Sequence, residues 1–238
     1  MHDPFVDQNT SVLIALLMSS DQRHQEQGCL LLDSMNLQEQ REFFSREGGR
    51  HILRQVFERG SGGDGTWIPQ PEGLHLRYQN HLKSSVLDRC IEYSSWEVGS
   101  IQSLSASSER IDDLSFVSRF PGLKTLSLHN IQDVCDFSPL ASLRSLRVLN
   151  LTSVSSLKNL DFLSEVPSLL QLEIEQCDSL IDLQGLFGHP RLVVVAIRNC
   201  KDLKDLSGLH NIRRLKSLDL SANAALESLD ALRDLPQL

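Results

Sequence analysis

The chain has 238 residues, enough for one large domain or two small ones, and carries 23 Lys+Arg against 31 Asp+Glu for a formal net charge of −8. The acidity is mild and spread over both halves, and the sequence shows no cluster of Lys/Arg, so nucleic acid is not an expected partner. The five cysteines are an odd number without disulfide-scaffold spacing and read as free thiols of a reducing compartment. The apolar run Val12 to Met18 is too short to span a bilayer and lacks the basic segment of a secretion signal. The expected location is cytoplasmic, with no membrane partner.

In chain order, residues 1–60 predict a helical segment. Asn9 or Thr10 caps a first helix with Val12, Leu13, Leu16 and Leu17 at helical spacing. Asp21 caps a second, which carries Leu30, Leu31 and Met35 and has Gly28 where a neighbouring helix would approach closely. A third, over about Gln38 to Arg46, buries Phe43 and Phe44. A fourth, over about Arg50 to Arg59, stops at Gly60. Residues 61–98 read as a Gly/Pro-rich connection and the N-terminal cap of the region from residue 99 onward. The Gly60–Gly65 stretch has neither a following Lys-Ser/Thr nor a preceding strand, so it is a linker and not a phosphate loop. Leu74 to Tyr78 alternates like a strand. His75 and His81, six apart, do not make a metal site by themselves. Leu82, Val86, Leu87, Cys90 and Ile91 fit a short helix, and Trp96 and Val98 are placed to cover the first repeat.

From residue 99 onward one phrase recurs every 23 residues: Leu123-x-x-Leu126-x-Leu128, then copies opening at Leu146, Leu169, Leu192 and Leu215. An earlier copy, Ile101-x-x-Leu104-x-Ala106, lies 22 residues upstream. So short a unit cannot bury its apolar face alone, and the copies must stack into a solenoid. Within each copy the phrase alternates as a strand. The later leucines, such as Leu203, Leu206 and Leu209, are spaced by three, which suits 3₁₀-like turns on the opposite wall. Leu238 occupies the first position of a seventh copy. The expectation from that register is a chain that continues, or an apolar C-terminal edge covered by another copy through self-association.

These residues resemble the leucine-rich repeat, Leu-x-x-Leu-x-Leu-x-x-Asn/Cys, with Cys177, Cys200 and Asn223 at the last position and Ile131 and Val154 departing from it. The second half of each unit resembles the internalin-like subclass, as in Asp136-Phe-Ser-Pro139 and Asp205-Leu-Ser-Gly208. The resemblance implies an α/β leucine-rich-repeat solenoid: a curved parallel sheet with a 3₁₀ and short-helical convex wall, over residues 99–238, in six repeats with a seventh begun. It also implies a binding surface, without naming a partner. Asp113, Asp136, Asp182 and Asp205 share one repeat position with Asn159. One carboxylate per repeat cannot supply the roughly six to eight oxygens of a calcium site, so the column is read as turn capping.

The strand register places Ser105, Ser127, His129, Asn150, Gln171, Glu173, Glu175, Arg198 and Asp219 among the side chains on the concave face. Of these, His129, Asn150, Gln171, Glu173, Glu175, Arg198 and Asp219 are the candidate partner-binding residues. The expected partner is a protein or peptide with a basic feature. No Ser/His/Asp set, Cys/His pair or metal motif has meaningful spacing, and His129 near Ser127 lacks an orienting group and an oxyanion hole. The chain therefore reads as a non-catalytic interaction module without cofactor or metal. The alternative is the recognition half of a larger effector or sensor whose catalytic or signalling domain lies beyond residue 238.

Overall fold

A computed structural model describes residues 12, 13, 15, 16, 22–35, 39, 43, 73–77, 99, 101–107 and 111–238. The predicted fourth helix, the Gly60–Gly65 linker, the short helix through Leu82 to Ile91 and the covering role of Trp96 and Val98 lie outside these residues. So do the caps Asn9, Thr10 and Asp21, together with Leu17, Phe44 and His81.

Alternation of apolar and polar residues over five positions produces a strand in each repeat, and the strands stack in chain order into one parallel sheet. After β1 (Gly73–Arg77) come β2 (Ser103–Ser107), β3 (Thr125–His129), β4 (Val148–Thr152), β5 (Gln171–Glu175), β6 (Val194–Arg198) and β7 (Ser217–Asp219). The register is strict: Leu104, Leu126, Leu149, Leu172, Val195 and Leu218 are successive partners. All but Leu218, which lies on the outermost strand, are fully buried. The six repeat strands are those expected from the 23-residue period. The sheet has a seventh because the alternating segment after the Gly/Pro-rich stretch joins it, pairing Gly73 with Ser103 and His75 with Ser105.

The opposite wall consists of 3₁₀ turns, Ser115–Arg119, Ser138–Ser142, Asp161–Glu165, Gln184–Leu186, Ser207–Leu209 and Asp230–Asp234. Each opens where a side chain two residues upstream takes an orphan backbone donor. Asp113, Asp136, Asp182 and Asp205 accept the N–H groups of Ser115, Ser138, Gln184 and Ser207 at 2.8–3.0 Å. Asn159 does the same for Asp161 at 3.3 Å and Ser228 for Asp230 at 3.0 Å. The Asp column is thus a column of caps.

Two glycines set the closest approach of neighbouring turns. A Cβ at Gly185 would lie 1.9 Å from the Leu160 carbonyl oxygen, and one at Gly208 would lie 1.7 Å from that of Leu183. No other residue fits there. The turns beginning at Gln184 and Ser207 are the short ones. Each is followed by a left-handed residue one repeat apart, Gly188 at φ 64° and Asn211 at φ 63°.

Between these layers lies one continuous apolar core, running from Leu104 to Leu235, with Leu13 and Phe43 of the N-terminal segment joined to it. The described helix of that segment, α1 (Gln22–Ser34), buries Gly28, exposes Leu30 and Leu31, and sends Met35 just beyond it against the core.

Candidate functional site

Period two along each strand and parallel register across the sheet together fix what the concave face displays. One row runs Ser105, Ser127, Asn150, Glu173, Ala196, Asp219. The next, toward the strand C-termini, runs Ser107, His129, Thr152, Glu175, Arg198. Gln171 opens β5 on the same face, one alternation before Glu173. The seven residues expected at the site are therefore on one continuous surface. Ala196 shares the face between Glu173 and Asp219 but is 4 % exposed.

The charges divide into two kinds. Arg198 Nε donates to Asp219 Oδ2 at 2.5 Å, and Asp219 Oδ1 accepts the Ser221 N–H at 2.9 Å. These bonds hold the Asp219 carboxyl down at about 2. The same carboxylate raises Arg198, with smaller contributions from Glu173 and Glu175. Arg198 and Asp219 neutralise each other, so the net charge of the face comes from the glutamates. Glu173 Oε1 accepts one bond from Gln171 Nε2 at 2.7 Å, which orients it on its own strand. Glu175 is exposed and makes no side-chain hydrogen bond or ion pair among the described residues.

Beside the acidic pair the face is neutral. Burial lowers His129, so its imidazole is uncharged at neutral pH. Asn150 Nδ2 donates to Ser127 Oγ at 3.0 Å, while Asn150 Oδ1 is buried without a hydrogen-bond partner. An acceptor held in that state costs the fold a hydrogen bond and has no exposed surface to offer a ligand.

Two features were not read from the sequence. The Arg198–Asp219 pair is a diagonal contact, 21 residues apart, one repeat less the two positions of a strand step. The turn after each of β3 to β7 passes through a left-handed residue: Asn130, Ser153, Gln176, Asn199 and Ala222, at φ 53–60°. The N–H of each of the first four reaches the strand-end carbonyl of the next repeat at 2.9–3.1 Å, and this ladder offsets the strain. The asparagines at two of these positions were the available signal.

Below this turn, the expected Asn/Cys column behaves as buried packing. Asn223 Nδ2 donates to the Ile197 and Leu220 carbonyls at 2.7 and 2.9 Å, and its Oδ1 accepts the Cys200 N–H at 2.8 Å. Cys177 and Cys200 are buried free thiols, and burial pushes Cys177 up to about 12. A separate cleft of about 460 Å³ opens on the opposite side between Cys135–Ser138 and Ser156–Phe162, backed by the Phe137 and Phe162 rings stacked at 5.8 Å. Among the described residues, no three His, Cys, Asp or Glu side chains are grouped to hold a metal ion.

No protein-family model matches the sequence, and no curated protein matches it at a significant level. Among solved structures, the chain is similar to the leucine-rich repeat domain of the type III effector XopL, at 19% identity and a TM-score of 0.53, over 84% of this chain and 72% of that one. Looser likenesses are internalin C2 of Listeria monocytogenes, at 15% identity and a TM-score of 0.45 over 78% and 93% of the two chains, and internalin InlF of the same organism, at 17% identity and 0.34 over 84% and 75%. With its ordered parallel strands, capped 3₁₀ turns and closed leucine core, the chain has the leucine-rich-repeat solenoid fold.

Proposed function

We propose that this chain is a non-catalytic interaction module that holds a protein or peptide partner on its concave face, with the partner's Lys or Arg against Glu173 and Glu175. The observation that carries this reading is the carboxylate couple on this face: among the described residues Glu175 has no side-chain hydrogen bond or ion pair, and Glu173 accepts only the Gln171 amide. A partner cation with hydrogen-bond donors can bond both carboxylates. The neutral floor of Ser127, His129 and Thr152 lets the backbone of a peptide lie close without a second charge to accommodate. Specificity of this kind comes from electrostatic complementarity more than from aromatic anchors, which the face lacks.

The test is affinity capture from a cell extract with the intact chain as bait, compared with Glu173→Lys combined with Glu175→Lys. Both side chains lie on the surface of a sheet whose core they do not enter, so circular dichroism of the variant should match that of the wild type. The expected result is loss of the captured protein by the double variant. Equal capture by both baits excludes the concave acidic couple as the docking point.

A further inference from the structure

Stacking sorts charge to the two flanks of the solenoid in a way that the linear sequence conceals. The five residues before each of β3 to β7 are 120–124, 143–147, 166–170, 189–193 and 212–216. Together these segments contain Lys124, Arg144 and Arg147 in the early repeats and Arg191, Arg213, Arg214 and Lys216 in the later ones, with no Asp or Glu. The backbone proves that they share an edge. Arg147 N–H donates to the Lys124 carbonyl, Leu170 to Arg147, Val193 to Leu170 and Lys216 to Val193, at 2.8–2.9 Å. Lys124 and Arg147 are thus one strand step apart, about 4.8 Å, and Arg191 and Arg214 are equivalent positions of adjacent repeats.

The opposite flank, where the strands end, carries the reverse balance. Asp133, Asp136, Asp178, Asp182, Asp202 and Asp205 lie there against Lys158, Lys201 and Lys204. Those acids are engaged in turn caps or, for Asp178, in a 2.6 Å pair with Lys201, apart from Asp133 and Asp202. The basic flank has no such compensation. Among the described residues its one ion pair is the loose 3.9 Å contact between Arg144 and Glu165, both mostly exposed. Like charges held side by side by a backbone ladder repel one another and focus a positive potential along the edge.

We infer that this basic flank docks an acidic polypeptide segment running across the repeats, at a site distinct from the concave face. From Lys124 to Lys216 is four strand steps, roughly 19 Å at about 4.8 Å each. An extended chain of about six residues at about 3.3 Å per residue covers that distance. Five of the seven cations are arginines, whose planar forks suit carboxylates. Phe120, the aromatic residue of these five segments, is fully buried, and Phe187, which is exposed, lies before them at the end of its 3₁₀ turn.

The experiment uses the full chain and a fluorescein-labelled octapeptide of alternating Asp and Glu, read by fluorescence anisotropy at low salt. The expected result is saturable binding that weakens with added salt. It should fall at least about tenfold in Arg213→Glu with Arg214→Glu and in Arg144→Glu with Arg147→Glu, and remain unchanged in Lys201→Glu with Lys204→Glu on the other flank. Should a Glu variant lose its circular dichroism, the matching Arg→Gln pair replaces it and is expected to move affinity in the same direction. Absence of binding at low salt, or equal loss from the Lys201/Lys204 control, overturns the inference. So does equal or tighter binding of phosphatidylserine vesicles or of an oligothymidylate. None of these readouts involves Glu173 or Glu175, so this inference and the concave-face reading fail separately.

Discussion

Substituting Leu172 and its neighbour Glu173 separately tests the register on which every assignment of a face depends. Leu172 is fully buried, paired in register with Leu149 on one side and Val195 on the other, both also fully buried. Leu172→Ala removes three carbons, about 2.4 kcal/mol of transfer free energy at about 0.8 kcal/mol per methylene. It also leaves a cavity between strands that the parallel ladder prevents from closing, which brings the expected loss to about 3–5 kcal/mol. Glu173→Ala, one residue along, removes a half-buried surface side chain and its bond to Gln171, with an expected cost within about 0.5 kcal/mol. Urea unfolding of the intact chain measures both: the midpoint should drop strongly for Leu172→Ala and hardly move for Glu173→Ala, with similar slopes. Comparable losses in the two variants would refute the alternation that places Glu173 on the concave face.

Three further outcomes rest on specific contacts. Gly208→Ala should destabilise by several kcal/mol, because the new Cβ meets the Leu183 carbonyl oxygen at 1.7 Å and the backbone must shift; urea unfolding against Gly188→Ala, which adds only left-handed strain of about 1 kcal/mol, should show the larger loss at 208. His189 is 4 % exposed, its Nε2–H donating to the Val166 carbonyl at 3.1 Å, and burial lowers its pKa from 6.5. Its folded pKa lies below the unfolded one, so the unfolded chain binds the extra proton, and stability falls as pH drops below about 6.5; replacement by Leu should flatten that decline in pH-dependent thermal unfolding, apart from the share that His129 contributes with the same sign. In a chain with Cys29 and Cys90 changed to Ser, one thiol should react promptly with Ellman's reagent under native conditions, since Cys135 is exposed and Cys177 and Cys200 are buried; three fast thiols would contradict the packing of the Asn/Cys column.

The solenoid was legible because its rule is one-dimensional: a 23-residue period and a two-residue alternation locate Leu126, Leu149, Leu172 and Val195 in the core without knowledge of any distant contact. The caps were legible for the same reason, since Asp136 and Asp205 act on backbone two residues away. What escaped depends on neighbours across repeats. Arg198 finds Asp219 diagonally, Asn150 loses a partner for its Oδ1 only when its strand is packed between two others, and the basic flank exists only after Lys124 and Arg147 are stacked. The strand at Gly73–Arg77 alternates, but its place in the sheet rests on pairing with β2 across a 30-residue separation, which no repeat announces.

The central claim is that the concave sheet around Glu173 and Glu175 receives the partner. A photo-crosslinking residue at Thr152, in the row of His129 and Glu175, compared with one at Ser164 on the convex 3₁₀ turn, addresses it directly. Concave-face docking predicts a crosslinked protein adduct from position 152, lost when Glu173 and Glu175 are changed to Lys, and none from position 164. Adducts from 164 alone, or adducts from 152 that persist in the charge-reversed chain, would contradict it.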